Sequence, residues 1–227
     1  MPSITPALRN WLLCEVNGRR VPYRREKTVL ALFEDQAKRR PDAPAVTFAH
    51  RTLTYGALNR HANALARQLA AAGVGRGDFV PLVLRNGLEL PLSMLALMKL
   101  AAPFVPVDEQ WPAERLEQMI AAIEPKIVLC APDGARPSGF RDVVVELDAV
   151  GQDTSDDHGE PAGLDEKVYG FYTSGSTGLP KCTVNIHRGL LNRFGYMTRA
   201  FSDGDDEVVL QNSRPAFDSS LWQLLWA

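Results

Sequence analysis

Two glycines, four hydroxyl residues, a leucine, a proline and a lysine fill the stretch TSGSTGLPK, residues 173–181, between the apolar aromatic run GFY and the run CTVNI. Glycines at 175 and 178 let the main chain turn sharply and approach a ligand closely, so that neighbouring amides can point at anionic oxygens. Thr173, Ser174, Ser176 and Thr177 add hydroxyl donors, and Lys181 adds a flexible point charge. Together Thr173, Ser174, Gly175, Ser176, Thr177, Gly178 and Lys181 suit a polyphosphate. An ordinary surface turn uses the same residue types and stands as the alternative. A Walker A loop fits poorly: the spacing from Gly175 to Lys181 agrees, but Pro180 stands in place of a glycine, and Cys182 in place of the Ser or Thr that holds magnesium.

No other constellation competes. His50, His61, His158 and His187 are scattered, with no pair at the helical spacing of metal ligands, so packing or solvated roles are expected and no metal ligand is assigned. No G-x-S-x-G elbow supports a Ser-His-Asp triad. Cys14, Cys130 and Cys182 are odd in number and lack metal spacing, which fits a reducing compartment, and the cytoplasm is the expected location. The N-terminus shows no basic and apolar pattern of a secretory signal. A net charge of -2 gives no general attraction to nucleic acid or anionic membranes. The most apolar stretch, 88–107, carries Glu89, Lys99 and three prolines, so no membrane helix is expected.

The elements that would position the loop follow from periodicity. The 227 residues, 45% of them hydrophobic, suffice for a sizeable core. Asn17-Gly18 between Leu12–Val16 and Val21–Tyr23 predicts a small hairpin. Thr28 caps a helix running to Arg40 and stopped by Pro41, and Thr54 caps another that ends at Gly73. AVTFAHRTLTY reads as two short strands about His50-Arg51. FVPLVL is a strand, 88–100 a helix, PFVPVD an extended return, and Pro112 starts a helix carrying Leu116, Met119, Ile120 and Ile123. KIVLC and VVVEL are strands, 148–166 is an acidic solvated loop, KVYGFY leads into the glycine loop, CTVNI leads out of it, and 187–201 is compatible with a helix. This alternation predicts an α/β fold with a parallel sheet whose strand ends present the ligand loops.

With the elements in place, YTSGSTGLPK closely resembles the phosphate-loop signature of the adenylate-forming superfamily, which includes acyl-CoA synthetases, luciferases and peptide-synthetase adenylation domains. LTYGALNRHANALARQLAAAGVGRGD resembles its first core block, LMKLAAPFVPVDEQWPAERL its second, and FDSSLWQLLWA its fourth, in the form found in amino-acid-activating members of nonribosomal peptide synthetases. The resemblance runs from Thr28 to Ala227. It implies a lead-in over residues 1–27 and, over 28–227, the N-terminal part of the large adenylate-forming-enzyme domain, mostly parallel sheets flanked by helices. It implies Lys181 as a catalytic residue and ATP with Mg2+ as cofactors. It further implies aminoacyl-adenylate formation, and a carrier-protein phosphopantetheine thiol as acceptor, on a peptidyl carrier protein or neighbouring synthetase domains.

On the substrate side the resemblance gives Asp218 the amino acid's α-ammonium, which suits a buried carboxylate opposite a cation. Ser219 and Trp222 fall at pocket-lining positions. Helix capping by Asp218 and ordinary core packing by Trp222 are the alternatives. Several residues depart from the pattern: Cys182 follows the loop lysine where glycine is usual, Ala101 and Ala102 replace glycines, and Ala57 replaces the glutamate of a capping box with Thr54. The family's later blocks have no counterpart, and the apolar ending at Ala227 is expected to mark a fragment, inactive in isolation. Rival readings are an acyl-CoA synthetase-like activator, disfavoured by Asp218, and a noncatalytic nucleotide-binding or interaction fragment.

Overall fold

The computed structural model describes residues 4–16, 22–23, 26–153, 161–173, 180–202 and 207–226. Its helices are α1 (Pro6–Asn10, continued by a π-helical stretch Trp11–Val16), α2 (Val29–Arg39), α3 (Tyr55–Ala71), α4 (Glu89–Lys99), α5 (Ala113–Ala121), α6 (Leu147–Val150), α7 (His187–Phe201) and α8 (Ser219–Leu225). The strands are β1 (Pro44–Phe48), β2 (Arg51–Thr54), β3 (Val80–Val83), β4 (Phe104–Pro106), β5 (Val128–Cys130), β6 (Asp142–Val144), β7 (Lys167–Thr173) and β8 (Lys181–Ile186). β1 and β2 form an antiparallel pair, and the remaining six form one sheet in the order β6-β5-β3-β4-β7-β8. Every pairing in that sheet is parallel except β7 with β8.

Side chains of a strand point alternately to the two faces of a sheet, and a parallel sheet buries both. Residues 127–131 show this directly. Ile127, Leu129 and Ala131 join one core with Leu82, Phe104 and the apolar faces of α2, α3, α4 and α7, whereas Val128 and Cys130 join a second with Val83, Val105 and, from α5, Leu116 and Ile120. Connections on both faces follow from the strand order, because the chain leaves β3 for β4 on one side and returns to β5 on the other. Lys99, with no side-chain exposure, ties α4 to α2 through a 2.5 Å ion pair with Glu34. A charge so deeply placed requires its partner.

The capping residues act as their types predict. The Thr28 hydroxyl accepts from the Ala31 amide at 3.3 Å and that of Thr54 from the Ala57 amide at 3.2 Å, so the second cap forms without its glutamate. Gly73 takes φ +95° one residue past the C-cap of α3, where a left-handed residue is favoured. Ala101 also sits in left-handed space, at φ 51°, which costs a residue with a Cβ about 1 kcal/mol.

The N-terminal hairpin is corrected. Leu12–Val16 is helical, because Thr5 accepts from the Leu8 amide at 3.2 Å and Pro6 occupies the first turn, which starts a helix that runs on through the apolar residues. Asn17 and Gly18 lie outside the described residues. The acidic stretch is likewise not all solvated loop: Val150 of α6 is buried, and Asn63 and Gln68 of α3 donate to the carbonyls of Asp153 and Val150.

Candidate functional site at the carboxyl edge of the sheet

The parallel strands β3, β4 and β7 lie side by side, so the residues just past their carboxyl ends share one edge. In open α/β sheets that edge, near the point where strand order reverses, is where ligands bind. Asn86 follows β3, Asp108 follows β4, and Thr173 ends β7.

β8 returns antiparallel beside β7, with Thr173 opposite Lys181, so the glycine loop closes a hairpin whose base these two residues form. The Thr173 hydroxyl donates to the Lys181 carbonyl at 3.4 Å, and both residues are exposed. Ser174, Gly175, Ser176, Thr177 and Gly178 lie outside the described residues. Thr173 and Lys181 are thus brought together at the edge, with the lysine's charge unburied.

Cys182 packs against the α5-side core, and burial pushes its pKa up, which lowers its thiolate fraction. Its partner across the ladder, Tyr172, donates from its hydroxyl to the Met119 carbonyl, and burial raises that hydroxyl's pKa, with Cys182 adding to the shift. A Cβ on Gly170 would lie 2.6 Å from the Cys182 sulfur, so the bulky residue at 182 is accommodated by the missing side chain at 170.

The second arm of the site is the segment leading into α8. Asp218 occupies the N-cap position of α8 but takes helical angles and makes no side-chain cap hydrogen bond, so the capping alternative is not adopted. It is exposed, which corrects the expectation of a buried carboxylate: among the described residues nothing encloses it. Its charge reaches β7, where burial raises the pKa of Tyr169 and the Asp218 carboxylate adds to the rise. Ser219 is half-buried and donates to the Ser213 hydroxyl at 2.8 Å, while Trp222 packs partly buried against the larger core.

Sequence reasoning passed over the residues that fasten this segment. Asn86 donates to the Ser213 carbonyl at 3.2 Å, Arg214 donates to Asp108 at 3.1 Å, and Gln223 accepts from the amides of Asn212 and Ser213 at 3.2 and 3.0 Å. The available signal was Ser220 and Gln223, polar residues three apart on one helical face, both buried. His61 and His187 are buried packing residues, His50 is exposed, and His158 lies outside the described residues. Among the described residues no group of three or more His, Cys, Asp or Glu gathers to hold a metal. Among them, too, no helix is long and apolar enough to cross a membrane. A cavity of about 540 Å³ between α2, α3, α7 and α8 contains none of the expected site residues.

Comparison with known proteins agrees with this arrangement. Residues 33–227 match the family described as AMP-binding enzyme. The chain is 32% identical over 213 residues to tyrocidine synthase 1 of Brevibacillus parabrevis, covering 91% of this chain and 20% of that protein. It is 34% identical over 212 residues to malpibaldin synthetase of Mortierella alpina, covering 91% of this chain and 4% of that one. The AMPPNP-bound form of the nonribosomal peptide synthetase FmoA3 superposes with a TM-score of 0.81 at 27% identity, covering 96% of this chain and 23% of that one. The chain thus spans a fifth or less of the two curated relatives. Its matched residues, its sheet and its hairpin place it in the AMP-binding enzyme family, with the mostly parallel, helix-flanked sheet of adenylate-forming enzymes and a likeness to the N-terminal part of a nonribosomal peptide synthetase adenylation domain.

Proposed function

We propose that this chain supplies the phosphate-binding edge and the start of the amino-acid pocket for adenylation of an amino acid in nonribosomal peptide synthesis, in the cytoplasm. The observation that carries the reading is the meeting of Thr173 and Lys181 at the base of the hairpin, on the edge to which the Asp218 segment is also fastened. The FmoA3 likeness supports it, since that protein was captured with AMPPNP. An oxygen of the substrate carboxylate attacks the α-phosphorus of ATP, a C–O–P linkage forms, and the P–O bond to pyrophosphate breaks with its electron pair leaving on pyrophosphate. Lys181 and the Thr173 hydroxyl, with the loop from Ser174 to Gly178, would hold the departing charge. Asp218 would pair with the substrate's ammonium, with Ser219 and Trp222 beside it. Mg2+ would enter with the nucleotide, and a carrier-protein phosphopantetheine thiol would then take the acyl group.

ATP–pyrophosphate exchange by the protein carrying the remaining family segments tests the reading. Exchange stimulated by an amino acid is expected. Strong exchange with fatty acids and none with any amino acid would instead favour the acyl-CoA synthetase-like activator, for which Asp218 has no cation to meet. Turnover by the 227 residues alone would contradict their dependence on those further segments.

A further inference from the structure

Segment 211–215 lies on the carboxyl edge without belonging to a strand or helix, yet side chains bind the amides of Asn212 and Ser213 and the carbonyls of Ser213 and Pro215. Gln223 is central. It is 9% exposed, and its Oε1 accepts from the amides of Asn212 (3.2 Å) and Ser213 (3.0 Å) while its Nε2 donates to Asn212 Oδ1 (2.9 Å). Around it, Gln211 donates to Asn86 at 3.0 Å, Asn86 donates to the Ser213 carbonyl, and Ser220 donates to the Pro215 carbonyl at 3.1 Å. One buried carboxamide therefore joins the α8 helix to a loop that Asn86 and Asp108 join to the sheet. Asp218 lies between the two halves of that joint.

We infer that Gln223 is a positioning residue for substrate: by binding the two amides it fixes the angle at which α8 leaves the sheet, and with it the place of Asp218. The inference rests on the amino-acid role proposed for Asp218. Burying Gln223 without its partners would leave a carboxamide and two amides unsatisfied, so the network acts as one unit. Glutamate at 223 retains oxygen acceptors for both amides, whereas methionine of similar length offers only a weakly accepting thioether.

Amide hydrogen exchange on the wild-type chain comes first. Asn212 and Ser213 should be protected although they lie outside regular structure; exchange at the rate of open loops would overturn the inference. In Gln223→Met both amides should exchange about tenfold faster, the scale of one or two lost buried hydrogen bonds, with those of β7 unchanged. In the protein carrying the remaining family segments, the same variant should raise the amino-acid KM about tenfold while the ATP KM stays within about twofold. Gln223→Glu should return both readouts towards wild type. Retained protection in Gln223→Met, parallel rises of the two KM values, or a folded Gln223→Glu that loses protection would each refute the role. Absence of any amino-acid-dependent exchange in wild type would defeat the proposed function instead, and would leave the Gln223 joint to be judged by its amides.

Discussion

The two arms of the carboxyl edge are held by opposite means. Lys181 owes its place to ladder register: after one irregularity between Lys167 and Tyr169, β7 and β8 pair residue by residue from Tyr169–Asn185 to Thr173–Lys181, so the lysine is set by main-chain bonds begun far from it. Asp218 owes its place to side chains, because Asn86, Arg214, Ser219 and Gln223 do the fastening that a strand would otherwise do. Register tolerates changes in exposed side chains and fails when the ladder itself is forced apart. A side-chain network fails at single residues and leaves the neighbouring strands intact. Charge delivery to phosphate and reading of the substrate are thus separable in this fold.

The sharpest division comes from removing the charge without touching the ladder. Lys181→Ala in the protein carrying the remaining family segments should slow adenylation about 100-fold, the scale of one lost electrostatic donor, with stability unchanged since Lys181 is exposed. Single-turnover kinetics and urea unfolding measure the two halves of that statement.

The hairpin arm should also weaken with acid. His187, directly after β8, is 1% exposed and burial holds its pKa down to about 4, against an ordinary value of 6.5; the Glu166 carboxylate opposes the shift only in part. Between these values the unfolded chain binds the proton that the folded chain refuses, so the His187 contribution to stability falls as pH drops from 6.5 and levels off below 4, by about 3 kcal/mol at most. Burial lowers the His61 pKa as well, with the same sign. Urea unfolding across that range should show the loss, and His187→Phe should flatten much of it.

Forcing the ladder comes next. Gly170→Ala places a Cβ 2.6 Å from the Cys182 sulfur and should destabilise by about 2 kcal/mol, as overpacked cores do. Cys182→Ala added to it should recover most of the loss, which a double-mutant cycle in urea would measure. Smallest is Ala101→Gly, expected to stabilise by about 0.5 kcal/mol, since relief of the φ 51° backbone exceeds the lost burial of one methyl only slightly.

What the sequence made legible divides along the same line. Local chemistry was readable: Thr28 and Thr54 as caps, Gly73 as a stop, and α7 from His187 to Phe201 all stand where periodicity and capping put them. Tertiary packing was not. The apolar run from Trp11 to Val16 suits strand or helix alike, and the Thr5-Pro6 start decided it. Cys182 carried no mark of the face it would take; that was fixed by its ladder position opposite Tyr172. Asp218 was expected buried on the strength of its charge partner, and exposure depends on neighbours distant in sequence. Gln223 looked like one polar residue in an apolar helix, because its partners lie ten and eleven residues back in an irregular segment.

The central claim, that the Thr173–Lys181 edge holds the phosphates of a nucleotide, is open to direct measurement by lysine acylation of the chain mapped by mass spectrometry. Saturating ATP should slow modification of Lys181 at least about fivefold, while Lys126, held by Asp78 on another part of the surface, reacts unchanged. Equal labelling of Lys181 with and without ATP would contradict it.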